Sequence, residues 1–392
     1  MRANAEFDVV IYGASGFTGR LVAEYMSARY GPGSDVTWAM AGRNREKLAA
    51  VRDEIGAPAD TALITADAGD ADSVRQMARR AKCILTTVGP YTHYGEPLVA
   101  ACAEAGTDYV DLCGEVLFMH EMIAKYEDKA KETGARIVFS CGFDSVPFDL
   151  GVQFLQEKAV ERYGAPCPRV RGRMRAMQGT FSGGTAASGA ATMAAVQEDP
   201  SRLPTLLDPF SLAGGFSGPE QPAGNTVQED DALGAWVAPF VMAVINTKTI
   251  HRSNALMDHT WGEDLVYDEM FLAGPGDEGK AMAESIAAST QIGGENAPKP
   301  GEGPSKEERE AGHYDLLVHG TTAGGETISV GVTGDKDPGY GSTSKIIAEA
   351  ALCLIEDCPE LAGGIYTPAA AMGARLRSRL VANAGLTFEV EG

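Results

Sequence analysis

The sequence has no apolar run long enough to cross a membrane. Its longest near-apolar stretch, Ala232 to Ile245, falls short of the roughly 20 residues a spanning helix needs. No basic segment followed by an apolar one opens the chain, so a secretory signal is not expected and a cytoplasmic location is. Paired cysteines are also missing. The seven cysteines include no Cys-x-x-Cys, and with six scattered histidines they form no zinc pattern, so no metal site is expected. They read as free thiols, with Cys353 and Cys358 on one helix. Positive charge is in deficit. Lys and Arg number 33 against 54 Asp and Glu, a net charge of -21, which argues against a partner made of nucleic acid. The row Arg169, Arg171, Arg173 and Arg175 is a local exception to that average.

A chain of 392 residues, 44% hydrophobic, is soluble in type and too long for one ordinary core. Its first part alternates apolar runs with amphipathic stretches. Phe7-Tyr12, Val36-Ala41, Ala62-Thr65, Cys83-Val88, Tyr109-Leu112 and Arg136-Ser140 read as strands, with helices starting near Phe17, Asn44, Asp70, Pro97 and Phe118. That order predicts a Rossmann-type, doubly wound parallel sheet. After a helix from Asp149 to Arg162 the texture changes. Val170 to Met177 alternates Arg with apolar residues, as a strand with one wet face would. Thr185 to Val196 is a small-residue helix, and Asp199 to Asp231 an irregular Pro- and Gly-rich stretch. Leu265-Leu272 suits a strand, Gly293 to Gly312 a loop, and Tyr314-Gly320 with Thr327-Thr333 a hairpin. A helix then runs from Ser342 to Glu356. These elements predict a second α/β (α+β) domain with a largely antiparallel sheet.

The turn Gly13-Ala14-Ser15-Gly16-Phe17-Thr18-Gly19 carries the chemistry that reads best. It follows an apolar strand and opens a helix, the context a dinucleotide pyrophosphate requires. Gly13 serves the tight turn, Gly16 the approach of the pyrophosphate, and Gly19 close helix–sheet packing. An NAD site usually ends its second strand on Asp or Glu. Here that end reads Ala41-Gly42-Arg43, and a guanidinium pairs with a 2′-phosphate, so NADP is the expected cofactor. Asp67, after the third strand, is placed to reach the adenine. Val88, Gly89 and Pro90 end the fourth strand beside the nicotinamide half.

None of the twelve tyrosines has a lysine four residues later, which excludes the Tyr-x-x-x-Lys catalysis of short-chain dehydrogenases. Tyr91, His93 and Tyr94 follow the fourth strand and are the candidate proton donors. Asp144 and Ser145 suit a helix cap or a domain hinge better than a catalytic role. Ser182-Gly183-Gly184-Thr185 opens a helix whose N–H groups could hold a substrate carbonyl. Leu203, Leu206, Leu207, Phe210 and Leu212, with Trp236, Phe240, Val241 and Met242, could line an acyl tunnel, belong to the core, or meet a second copy in a homodimer.

These motifs, together with Val88-Gly89-Pro90-Tyr91 and Cys141-Gly142-Phe143-Asp144-Ser145-Val146-Pro147, resemble the saccharopine dehydrogenase-like oxidoreductases. Pro300-Gly301-Glu302-Gly303-Pro304-Ser305, Asp337-Pro338-Gly339-Tyr340-Gly341 and Gly363-Gly364-Ile365-Tyr366-Thr367-Pro368 are similar to the branch of the mycobacterial trans-acting enoyl reductases. The resemblance implies an NADP-binding domain over 1–148, a substrate and dimerisation domain over 149–340, and a segment, 341–392, returning to the first. It implies NADPH-dependent reduction of an enoyl or other unsaturated, apolar acyl or polyketide-like substrate. Two other readings stay open: a saccharopine- or opine-type amino-acid dehydrogenase, and a non-catalytic NADP-binding redox sensor. Arginines converging on the nicotinamide would mark the former, and a blocked ring face the latter.

Overall fold

The computed structural model describes residues 5–179, 183–289 and 302–391. Strands and helices alternate through the first part. β1 (Phe7–Tyr12), α1 (Phe17–Arg29), β2 (Trp38–Gly42), α2 (Arg45–Glu54) and β3 (Ala62–Thr65) form the first half. α3 (Ala71–Ala78), β4 (Ala81–Thr86), α4 (Tyr91–Tyr94), α5 (Glu96–Ala105), β5 (Asp108–Val110), α6 (Val116–Thr133) and β6 (Arg136–Val138) form the second. β1 and β3 have the bounds expected from the sequence; β4, β5 and β6 end two residues earlier than expected, and β2 starts two residues later and ends one later. The reason lies at their ends, where the backbone turns into loops rather than continuing the ladder.

α7 (Val146–Tyr163) leads out of this sheet to β7 (Arg169–Gln178), α8 (Gly183–Glu198), α9 (Leu203–Leu207), β8 (Gln228–Asp230) and β9 (Ala235–Pro239). There follow α10 (Ala243–Leu256), β10 (Val266–Gly274), α11 (Gly276–Ser289), α12 (Lys306–Ala311), β11 (His313–Thr321) and β12 (Thr327–Gly334). The chain ends with α13 (Thr343–Leu352), β13 (Gly364–Tyr366), α14 (Pro368–Ala371), α15 (Gly373–Asn383) and β14 (Leu386–Glu391). Thus the stretch 199–231 contains a short helix and an edge strand. The described part of 293–312 contains α12, fixed by a Ser305–Glu308 capping box, while 293–301 lies outside the described residues. The expected helix from Ser342 is α13, entered and left through π-helical turns at Pro338–Ser342 and Cys353–Asp357.

Two seven-stranded sheets result. The first has the order β13-β6-β5-β4-β1-β2-β3, with every pairing parallel. The second runs β14-β12-β11-β7-β10-β9-β8 and is antiparallel except where β10 meets β7. The last residues therefore serve both sheets: β13 extends the first, and β14 edges the second. One apolar core joins them. Val9, Ile11, Val110 and Val138 of the first sheet share a cluster with Val170, Leu316, Val318, Val330 and Val332 of the second, through Phe148, Leu150 and Leu155 of α7. Gly151 lets α7 lie close on the second sheet, since a Cβ there would stand 3.1 Å from methyls of Val318 and Val332.

The arginine row of β7 does not form a wet face. β7 is a central strand, and its neighbours bring carboxylates against the row. Arg173, 1% exposed, donates from Nε to Asp230 Oδ2 at 2.8 Å and pairs through Nη2 with Asp268 Oδ2 at 2.8 Å. Arg169 pairs with Asp268. Arg175 lies 2.6 Å from both Asp315 Oδ1 and Glu391 Oε1. Strand periodicity reports which residues share a face but not what covers it. Removing Arg173 would leave Asp230 and Asp268 buried without their central cation. Arg173→Ala is expected to cost about 3–5 kcal/mol, read as a lower urea midpoint. An unchanged midpoint would mean that Arg169 and Arg171 suffice.

Candidate functional site

The glycine turn takes the shape a phosphate cradle needs. Gly13 has φ +95, a conformation that side chains rarely adopt, and a Cβ on Gly19 would fall 2.2 Å from the Gly13 carbonyl oxygen. Gly16 is the N-cap of α1 and no side chain caps that end, so the first-turn N–H groups remain turned outward with the positive end of the helix dipole. Ala14 is buried, while Ser15 and Thr18 are half-buried around the opening. Phe17 lies edge-on to Tyr340, with ring centroids 5.1 Å apart, and carries the guanidinium of Arg309 5.7 Å above its ring. Gly303 packs on the same ring so closely that a Cβ would come within 2.4 Å of it. A strap from the second part of the chain thereby rests on the cofactor turn.

At the end of β2, Arg43 is exposed and has no hydrogen-bond or ion-pair partner among the described residues. Arg45, by contrast, is held by its donation to the Leu63 carbonyl at 2.7 Å. These residues fit a 2′-phosphorylated dinucleotide: uncapped amides for the pyrophosphate and one uncommitted guanidinium beyond them. Asp67 is exposed nearby, but its Oδ1 accepts the Gly69 N–H at 2.9 Å, which closes a local turn. Val88 and Pro90 are half-buried and Gly89 is exposed in the following loop.

A cavity of about 370 Å³ opens from this crevice, walled by loops at the strand ends of the first sheet, by α8, by the start of α10 and by the turn before α13. The first part of the chain supplies Gly16, Phe17, Thr18 and Gly89 of the predicted cofactor residues, and Tyr91 of the predicted donors. Tyr91 is committed elsewhere. Its hydroxyl accepts the Leu112 N–H at 3.1 Å and donates weakly to the Thr86 carbonyl at 3.4 Å, and burial raises its pKa well above the ordinary phenol value. His93 and Tyr94 are exposed, stacked edge-on at 6.1 Å, and do not line the cavity. The tunnel candidates divide. Val241 and Met242 line the cavity, Phe210, Leu212 and Phe240 are buried, and Leu203 and Leu207 are exposed. Of the small-residue run, Ser182 lies outside the described residues. Gly184 and Thr185 are on the wall.

Two carboxylates stand on the cavity wall: Glu115, which sequence reasoning missed, and Asp144, which it assigned to a cap or hinge. Glu115, at the N-cap of α6, accepts the N–H groups of Tyr91 and Thr92, both at 2.8 Å, and the hydroxyls of Thr92 at 2.6 Å and Ser188 at 2.7 Å. Ser188 belongs to α8, so this carboxylate ties one cavity wall to the other. Asp144 also lines the cavity, and burial pushes its carboxyl up to about 6. It caps nothing: Ser145 is the N-cap residue of α7, no side chain caps that end, and the Ser145 hydroxyl donates to Asn246 Oδ1 at 2.9 Å. A signal was available, because Asp144 follows a strand at the carboxyl edge of the parallel sheet, where ligands bind.

Residues 9–138 match the family described as the saccharopine dehydrogenase NADP binding domain, and the chain is an NADP-dependent oxidoreductase. Arg43→Ala is expected to weaken NADPH binding about tenfold or more while leaving NADH nearly unchanged, as fluorescence titration would report. Equal losses for both cofactors would remove Arg43 from the 2′-phosphate. Over its whole length the fold is similar to apo saccharopine dehydrogenase (L-glutamate forming) from Saccharomyces cerevisiae. That likeness has a TM-score of 0.55 at 12% identity and covers 98% of this chain and 100% of that one. A putative trans-acting enoyl reductase of Mycobacterium tuberculosis is 40% identical, over 98% of this chain and 97% of its own. A trans-acting enoyl reductase of Mycobacterium ulcerans is 37% identical, over 96% of each. With such identity along nearly all of its length, the chain belongs to the family of the trans-acting enoyl reductases.

Proposed function

We propose that the protein reduces the carbon–carbon double bond of an unsaturated, apolar acyl substrate. The observation that carries this reading is the composition of the cavity wall: among its described residues there is no Lys, Arg or His. An amino acid paired with a 2-oxo acid brings carboxylates that require cationic partners when desolvated. Here the wall carries two carboxylates of its own, Glu115 and Asp144, and the arginines of β7 are paired within the second sheet. An acyl chain needs no such partner. Leu112, Val241, Met242 and Ile245 offer it apolar surface, and Val244, 52% exposed, lies at the mouth. The name of the relatives in mycobacteria points the same way.

Bound NADPH would supply a hydride to the β carbon of such a substrate. The chain has to orient the acyl group and support charge developing on its carbonyl oxygen. Thr185 Oγ1 and the Tyr340 hydroxyl, 3.2 Å apart, belong to residues that line the cavity beside Phe17 of the glycine turn and are suited to that oxygen. NADPH consumption across a panel of enoyl thioesters and amino/oxo-acid pairs tests the reading. Turnover is expected with the thioesters, rising with acyl length until the cavity is filled. Turnover confined to amino/oxo-acid pairs would reject it.

A further inference from the structure

Asp144 has no use in the architecture that would explain its place. It is neither a cap nor an ion-pair partner, and no hydrogen bond to its carboxyl occurs among the described residues. Asp144 is half-buried, and part of its surface faces the cavity that adjoins the glycine turn. Withdrawing a carboxyl from water without a partner costs stability, and perturbed carboxyls of this kind cluster at functional clefts. We infer that Asp144 is the catalytic proton donor, delivering its proton from the carboxyl to the α carbon of the substrate. This role rests on the enoyl-reduction reading above.

The step balances. With NADPH bound, the cofactor would supply the hydride that forms the C–H bond at the β carbon, and the π pair of the double bond would move toward the α carbon and its carbonyl as an enolate. The Asp144 O–H bond then breaks, the new C–H bond forms at the α carbon, and the carboxylate left behind takes a proton from water at the open side of the cavity. The double bond is reduced and the cofactor oxidised, with one solvent proton consumed. Four other titratable groups face the same space: Glu115 from the start of α6, Tyr91 from α4, Cys113 from the loop after β5, and Tyr340 from the turn before α13. Glu115 is occupied by four donors and Tyr91 by backbone. Burial and neighbouring carboxylates raise the Cys113 thiol well above its ordinary value. Tyr340 is within reach of Thr185. Asp144 alone combines a transferable proton near neutrality with no competing partner, because burial is the only influence on its carboxyl.

The test compares wild type with Asp144→Asn and Asp144→Glu in NADPH oxidation with an enoyl thioester. Asp144→Asn should lower kcat by about 100-fold or more, the scale of lost general-acid catalysis, while NADPH affinity by fluorescence stays within about twofold. The wild-type rate should fall as pH rises through about 6, where the acid form is lost, and the residual rate of Asp144→Asn should lack that fall. Asp144→Glu should recover part of the rate. A readout free of turnover accompanies these. A carboxyl whose pKa is raised by folding penalises the folded state once it ionises, so Asp144→Asn should melt above wild type at about pH 8, with the gap narrowing toward about pH 5. If Asp144→Asn keeps kcat within about threefold and the same pH profile, the assignment is overturned while the substrate reading survives. Failure of wild type on every enoyl thioester rejects the substrate reading and this role together.

Discussion

Asp111 sits wholly buried where β5 gives way to its loop, and its carboxylate gathers the surrounding backbone. Oδ2 accepts the Tyr109 hydroxyl at 2.8 Å, and Oδ1 accepts the N–H groups of Cys113 at 3.0 Å and Ser140 at 2.8 Å. Its own carbonyl takes the Cys141 N–H at 2.7 Å. Burial pushes the carboxyl up to about 7 even with these donors pulling the other way. The arrangement holds Ser140 at φ +61, an unfavourable backbone for a residue with a side chain, and the Ser140 hydroxyl secures it further on the Cys113 carbonyl at 2.5 Å. Cys113, Ser140, Gly142 and Asp144 form the cavity floor, so the aim of that floor depends on one carboxylate that never touches the cavity itself.

From this floor the chain enters α7 and with it the second part of the chain, and the cavity is walled by residues of both parts. In the first turn of α7, Asp149 accepts the Ser253 hydroxyl at 2.6 Å and the Ala369 N–H at 2.7 Å, tying α7 to α10 and α14. α10 reaches the cavity with its first turn, so its position is set at both ends by polar contacts from the first part of the chain. The Ser188–Glu115 hydrogen bond does the same for α8. Such buried polar links fix geometry more sharply than apolar packing, because a shifted partner leaves a desolvated charge unsatisfied.

The sequence makes the first sheet easy to read because its strands are continuous apolar runs bounded by glycine turns and caps such as Asn44 and Asp70, all local signals. The glycine turn and Arg43 are legible for the same reason. The arginine row was misread because covering carboxylates arrive from β8 and β10, some 60 to 100 residues away in the chain. Asp144 was misread because a carboxylate before a helix suggests a cap, and only the packing around it shows that the cap was never made. Glu115 was overlooked since its partners come from α4 and α8, which no spacing rule connects. What remained hidden was set by tertiary burial.

All seven cysteines are buried, and Cys113 is the one that lines the cavity. The outer surface of the molecule is therefore silent toward thiol reagents. A single cysteine introduced at an exposed point of the strap, such as Lys306, would carry a fluorophore or spin label alone, with no need to strip the native thiols first. There the label would sit between Gly303 and Arg309, which both pack against the Phe17 ring of the glycine turn, and would report on that contact.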